Sequence, residues 1–385
     1  MLKKPFGRTG QELSLLGFGC MRLPLTNPDD LTSIDYDLAT AMVRKAIDRG
    51  VNYVDTAWPY HGVNRVDPGQ SEVFVAHALK DGYRDKVKLA TKLPTWLTKS
   101  RADMNRCLDA QLKRLGVSYI DFYLAHNLNS IVWPQIREDG LGAFFDEALK
   151  DGRIKYAGFS FHDRPAVFED ILGSYDWSFA QIQYNYLDIN YQAGQKGLNM
   201  ALDKGLGVAV MEPLRGGFLI NQLTPDMRKQ MAAVRPEWSA ADWAFRWLWS
   251  QPGLGVVLSG MSAMDQVDEN LKIAENTQPL TDLENETLAR IREVFIERLK
   301  VNCTGCGYCL PCPEGVNIPK NFSYFNDYWM TDVPGFQGRA KMYFHAQVSE
   351  RESCNNCVHC RQCEEKCPQS LPISELMDEV AAVFN

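Results

Sequence analysis

Short apolar runs alternate along this chain with amphipathic stretches. Runs rich in Val, Ile, Leu, Tyr and Phe fall at 15–19, 52–54, 87–91, 120–125, 156–159, 179–182, 208–211 and 255–258. Between and after them, apolar residues recur at helical spacing and predict helices near 37–49, 71–80, 100–115, 141–151, 163–172, 193–204, 239–250 and 264–275. Eight strand-then-helix units predict an α/β fold with a parallel sheet, most simply a closed (β/α)8 TIM barrel. The segment after Ser100 illustrates the signal: Asp103 follows three residues on, Met104, Cys107, Leu108, Gln111 and Leu115 share one face, and Gly116 sits where a C-terminal cap belongs. Cys107 is therefore expected to be buried as a small apolar residue. Ahead of the first unit, residues 3–14 read as two short strands about Gly7-Arg8-Thr9-Gly10, a plug for the barrel. Beyond the eighth, Thr281 and Glu284 open a further helix that carries Leu288, Ile291, Val294 and Phe295 toward Cys303. The barrel is thus expected over residues 1–300 and a separate small domain over 301–385.

Composition changes this picture in one place. Of 385 residues, 45% are hydrophobic and 23% charged, with a net charge of -7, an ordinary globular profile that gives no reason to expect nucleic acid as a partner. The N-terminus lacks the apolar core of a signal peptide and no run has the length of a membrane span, so a cytoplasmic protein with no membrane partner is expected. The exception is cysteine: of eleven, Cys20 and Cys107 stand apart and nine crowd between Cys303 and Cys367, a distribution that points to metal and not to disulfides.

In a barrel of this kind the loops after the strands form the active face. Asp55 and Tyr60 follow the second barrel strand, Lys92 ends the third and His126 ends the fourth. Taken singly, each has a structural reading: a rim ion pair, a loop aromatic, a core histidine. Together they suit proton exchange with a carbonyl oxygen while a hydride meets its carbon. A lysine ammonium favours the phenolate form of a tyrosine, an aspartate fixes the lysine, and a histidine orients the reacting oxygen.

In the C-terminal region Cys303, Cys306, Cys309 and Cys312 are each two residues apart and precede Pro313. Cys354, Cys357, Cys360 and Cys363 repeat that spacing before Cys367-Pro368. Three cysteines at this spacing wrap one cluster, and a fourth before proline serves the other cluster in two-cluster ferredoxins. The assignment is Cys303, Cys306, Cys309 and Cys367 to one [4Fe-4S] cluster, and Cys312, Cys357, Cys360 and Cys363 to a second, with Cys354 left over. Two four-thiolate zinc sites, or one cluster with spare thiols, are the alternatives. A weak internal repeat, Cys312-Pro-Glu-Gly-Val-Asn-Ile against Cys367-Pro-Gln-Ser-Leu-Pro-Ile, implies two related half-sites. The aromatic stretch from Tyr324 to Trp329 is expected to pack in this domain's core, and His359 to neighbour a cluster without ligating it.

The barrel region resembles the aldo/keto reductase family in Phe6-Gly-Arg-Thr-Gly, Asp55-Thr-Ala with Tyr60, Lys92, Tyr123-Leu-Ala-His126 and Gln181-Ile-Gln-Tyr-Asn. The C-terminal part is similar to a subgroup carrying a mainly helical, ferredoxin-like 2[4Fe-4S] domain. The resemblance implies an NAD(P)H-dependent oxidoreductase that reduces a small carbonyl or oxidises an alcohol. Tyr60 would be the general acid/base, with Lys92 and Asp55 setting its pKa and His126 orienting substrate. It also implies that Ser160 and Gln181 hold the nicotinamide carboxamide, that Met211 lies against the ring, and that Ser259, Ser262, Gln266, Glu269 and Asn270 line the diphosphate end. At the positions where relatives bind a 2′-phosphate with lysine and arginine, this chain has Gly260 and Gln266, so a preference for NADP is not supported. Phe161 replaces the asparagine that usually follows the serine, and Ser262 with Asp265 reads equally as an ordinary helix cap. Two other functions compete with the simple reductase. One is an electron-transfer enzyme linked to a ferredoxin or flavoprotein through the clusters; the other is a non-catalytic, redox-sensing nucleotide-binding subunit.

Overall fold

The computed structural model describes residues 1–330 and 336–384. They form two compact units, Met1–Pro213 with Phe245–Pro279, and Leu214–Ala244 with the segment from Leu280 onward.

The first unit opens with an antiparallel pair, β1 (Lys3–Pro5) and β2 (Glu12–Ser14), joined through a short 3-10 turn at Gly7–Thr9. Eight parallel strands follow: β3 (Leu16–Gly19), β4 (Tyr53–Asp55), β5 (Lys88–Leu93), β6 (Ile120–Leu128), β7 (Ile154–Phe161), β8 (Phe179–Gln183), β9 (Gly207–Met211) and β10 (Val256–Ser259). They close into a barrel in chain order, β10 pairing with β3. Such strands are buried on both faces, and for that reason they read in sequence as continuous apolar runs. Phe6 seals the interior at the β1 end, fully buried against the rings of Tyr53, Phe122 and Phe179. Gly7 makes this plug sterically possible: its φ is +53°, and a Cβ there would stand 2.1 Å from the amide nitrogen of Gly207.

The predicted helices form within two residues of their expected bounds, including Arg101–Leu115, where the Ser100 hydroxyl accepts from the Asp103 N–H and Gly116 closes the end at φ 64°. Cys107 departs from expectation: it is only half-buried, because the buried stripe runs through Met104, Leu108, Gln111 and Leu115. Helices Trp133–Glu138, Phe218–Asn221 and Pro225–Val234 were not legible as separate elements.

The second unit holds helix Asp282–Arg298, opened by a Thr281–Glu284 capping box as expected, and helices Ile318–Trp329, Phe336–Gln347 and Ile373–Phe384. Its core gathers Val316, Phe322, Phe325, Phe344, Met377 and Phe384, so Phe325 of the aromatic stretch packs inside. Two buried asparagines tie its loops. The Asn326 side chain accepts from Val301 N–H at 2.9 Å and donates to its carbonyl at 2.8 Å, and Asn321 donates to Glu352 O and accepts from Cys354 N–H. No helix among the described residues is long and apolar enough to cross a membrane.

Candidate active site and candidate metal centre

Strands β4, β5 and β6 bring Asp55, Lys92 and His126 to one end of the barrel, and the loop after β4 folds Tyr60 over them. All four side chains are buried, Lys92 completely. The Lys92 ammonium donates to both Asp55 oxygens, at 2.7 and 2.8 Å, to the Thr56 carbonyl at 2.8 Å, and more distantly to the Tyr60 hydroxyl at 3.3 Å. Burial pushes the Asp55 carboxyl upward while Lys92 pulls it back. The His126 ring lies 6.2 Å from that of Tyr60 in an edge-on arrangement. Burial, then the charges of Lys92 and Arg65, hold His126 well below the usual histidine range, so it is a neutral imidazole near pH 7.

Behind this group lies a buried polar layer that the sequence reading missed. Ser71 shares a hydroxyl contact of 2.8 Å with Thr56 and donates to the Cys20 carbonyl at 2.9 Å. Glu72 accepts from Thr91 Oγ1 at 2.7 Å, from Gln111 at 2.5 Å and from Nε and Nη2 along one edge of the Arg114 guanidinium. Gln111 in turn donates to the Lys92 carbonyl at 3.0 Å and accepts from the Tyr123 hydroxyl at 2.6 Å. The only sequence signal was a glutamate and a glutamine on the inward faces of two helices.

The cofactor candidates divide by place. Ser160 and Gln181 are register partners on β7 and β8, and the Gln181 amide approaches the Met211 sulfur at 3.6 Å, so these three come together. Ser160 accepts the Asn127 N–H at 2.8 Å. The Gln181 and Asn127 side-chain oxygens are buried without a hydrogen-bond partner, an arrangement that costs energy unless a ligand donates to them. A carboxamide fits that donor demand. Farther along, Asn270 donates to Ser259 at 3.0 Å, and Gln266 accepts from the Ser262 N–H at 2.9 Å. Helix Met264–Glu275 starts after Ala263 with no side-chain cap, so the Ser262–Asp265 cap does not form, and Ser262, Gln266 and Glu269 are exposed. A helix start suits an anion, and here the Asp265 carboxylate accepts the Gln266 N–H at 2.8 Å.

In the second unit Cys303, Cys306, Cys309 and Cys367 line one pocket, with Ile318, Phe322 and Leu371 among its apolar walls. Cys312, Cys357, Cys360 and Cys363 form the other gathering, close enough that their charges act on one another. The first four thiols surround a space, which fits a polynuclear cluster. The internal repeat is visible in the backbone. Gly305 and Gly307 flank Cys306 at positive φ, and His359 and Arg361 flank Cys360 in the same way. Three residues after Cys312 and Cys367, Gly315 and Ser370 are again at positive φ, with helices starting at Ile318 and Ile373. Cys354 sits in the domain core, 3% exposed. His359 is half-exposed, 3.1 Å from Asp378.

Three further residues missed by the sequence reading stand near the tetrad: Arg65, Trp96 and His162. His162 had a signal, as a polar residue just past the end of β7; Arg65 and Trp96 had none, since only the folded loops bring them there.

Residues 15–293 match the aldo/keto reductase family and residues 302–371 match a 4Fe-4S dicluster domain. The chain is similar to the oxidoreductase YqkF of Bacillus subtilis, 26% identical over 317 residues that cover 75% of this chain and 95% of the relative. It is 27% identical over 319 residues to the NADH-specific methylglyoxal reductase of Escherichia coli, covering 70% and 93%. Among solved structures, the holo form of aldo-keto reductase AKR11C1 from Bacillus halodurans superposes with a TM-score of 0.62 at 27% identity, covering 76% of this chain and 96% of that one.

Proposed function

The chain belongs to the aldo/keto reductase family and carries a 4Fe-4S dicluster domain, and on that premise we propose an NAD(P)H-dependent reduction of a small carbonyl, or the reverse oxidation, with Tyr60 as general acid/base. The observation that carries the reading is the Lys92 ammonium, held by Asp55 and Thr56 and directed at the Tyr60 hydroxyl. An ammonium beside a phenol stabilises the phenolate, which makes Tyr60 a better acid than its reference pKa of about 10 allows. Neutral His126, edge-on to Tyr60, orients the carbonyl oxygen toward the phenol without competing for the proton. Ser160, Gln181 and Met211 would hold the nicotinamide, and Ser259, Ser262, Gln266, Glu269 and Asn270 the diphosphate end. When bound, NAD(P)H supplies the hydride, and iron–sulfur clusters supply transfer of single electrons.

Catalysis is assigned to residues 1–300 and the clusters to 301–385. Two [4Fe-4S] clusters are assigned, one to Cys303, Cys306, Cys309 and Cys367, the other to Cys312, Cys357, Cys360 and Cys363. The cavity lined by the first four supports this assignment over two zinc sites. Tyr60→Phe is expected to lower kcat for a panel of aldehydes by at least about 100-fold; unchanged turnover would reject the assignment. A second reading, exchange of electrons with a ferredoxin or flavoprotein, is favoured by the exposure of Cys360, since an accessible ligand gives a partner a short path. Anaerobic mixing of NADH with oxidised protein separates the two: cluster bleaching without mediator requires electron transfer, and none is expected for a plain reductase.

A further inference from the structure

The residue after the proposed proton donor is a histidine whose ring is bonded at both nitrogens. His61 takes up a left-handed backbone, φ 57°, that few residues with a side chain adopt, and it is only 7% exposed. Its Nε2 accepts the Leu23 N–H at 3.1 Å, and its Nδ1 faces the Leu31 carbonyl at 2.9 Å. An amide N–H only donates and a carbonyl only accepts, so the ring proton stands on Nδ1 and Nε2 carries the lone pair. Both partners belong to one loop, residues 22–35 after β3. That loop is closed on itself by Thr26 N–H to Ser33 O at 2.8 Å and Asp35 N–H to Pro24 O at 2.9 Å. On the other side the backbone is held too: Gln70 N–H donates to the His61 carbonyl at 3.0 Å and Ser71 N–H to that of Tyr60 at 3.2 Å.

The arrangement accepts one protonation state. A second proton would sit on Nε2 and point at the Leu23 N–H, setting donor against donor in a buried place. Charged side chains on the two elements that meet at the ring are engaged elsewhere or face solvent. On the loop, Arg22 lies 3.8 Å from Glu212, Asp30 accepts from Thr32, Asp35 caps helix Tyr36–Asp48 and Asp29 is exposed. On the segment after β4, Asp67 accepts from Asn64, Arg65 lies over the Trp96 ring and Glu72 holds Arg114. Burial is the main influence on His61 and holds it below the usual histidine range, with the Leu31 carbonyl opposing.

We propose that His61 is a positioning residue for Tyr60: its neutral ring latches loop 22–35 to the segment that carries the phenol, and protonation of the ring favours the released loop. The proposal rests on the reductase reading for the role of Tyr60, whereas the latch itself is measurable without turnover.

The test uses the full chain, purified anaerobically, and reads hydrogen–deuterium exchange of peptides covering 22–35 as protection factors. Between pH 7.5 and pH 5 protection of this loop is expected to fall roughly 10- to 30-fold, the gain in opening when a ring of pKa near 6.5 in the released state takes up a proton, while β4, β5 and β6 keep theirs. His61→Gln offers an amide oxygen to Leu23 and an amide N–H to Leu31 and does not titrate, so its loop should show no such fall. His61→Leu makes neither bond. It should expose the loop at both pH values and lower kcat for aldehyde reduction by NADH at pH 7.5 by roughly 10- to 100-fold with KM little changed, a loss that His61→Gln largely regains. Wild-type protection that is equal at both pH values, or that falls as much in His61→Gln, overturns the latch. Loop exposure in His61→Leu without loss of kcat overturns the positioning role. If the wild type turns over no aldehyde, the reductase reading fails and the exchange data alone decide the latch.

Discussion

In the proposed mechanism Tyr60 depends on one buried ion pair, and this makes stability and activity separable. Lys92→Met leaves Asp55 as an uncompensated buried charge, a change that costs about 3–5 kcal/mol. Adding Asp55→Asn should restore much of the urea stability, while turnover stays absent in both variants because the phenol has lost its ammonium. Activity that returned with stability would show that Lys92 acts only as a structural residue. His162 carries a pH signature. Burial lowers its pKa to about 4 from the usual value near 6.5. Between those values the unfolded chain binds more protons than the folded one. Stability from this group is therefore complete above about pH 6.5 and is lost as pH falls toward 4. Urea midpoints at pH 7 and pH 5 should show a loss worth roughly 2 kcal/mol that His162→Gln removes.

The segment from Tyr60 to Glu72 acts as the positioning element of the site. Its turns are closed by backbone bonds from Gly69 to Trp58 and from Ser71 to Tyr60. A Cβ at Gly69 would lie 2.0 Å from the Tyr60 carbonyl oxygen, so any side chain there forces the backbone of Tyr60 to move. Gly69→Ala is expected to lower kcat/KM about 100-fold, the scale of an ångström-sized misplacement, with an unchanged circular dichroism spectrum. Glu72, at the following helix start, holds Thr91, Gln111 and Arg114. Glu72→Ala should destabilise the chain by about 3–5 kcal/mol through the stranded arginine and amide, read from urea unfolding.

The whole chain carries an aldo/keto reductase barrel, for which transfer of an electron pair as hydride is proposed, and a 4Fe-4S dicluster domain suited to single electrons. Purified anaerobically, it should hold about eight iron and eight sulfide per chain. Cys303→Ser is expected to remove about half of each. Cys354→Ser should leave iron content unchanged and lower stability only, because that thiol packs in the core.

Much of this was legible in the chain. The barrel followed from eight apolar runs separated by helical periods, since strands buried on both faces leave an unbroken hydrophobic record. The gathering of Asp55, Tyr60, Lys92 and His126 could be read because strand ends in such a barrel share one face, and the two gatherings of cysteines because their spacing is local geometry. Other features had no local record. The Glu72 layer, the half-exposure of Cys107 and the bonds of His61 to Leu23 and Leu31 depend on groups distant in sequence, and periodicity carries no information about which loops meet. The Ser262–Asp265 cap failed for a related reason: a helix start is set by the φ and ψ of its first residues, and here the chain enters the helix after Ala263. The sequence by itself determined the architecture and the chemical inventory; tertiary structure decided which charges face one another, because pair energies in a buried site depend on distances that only folding sets.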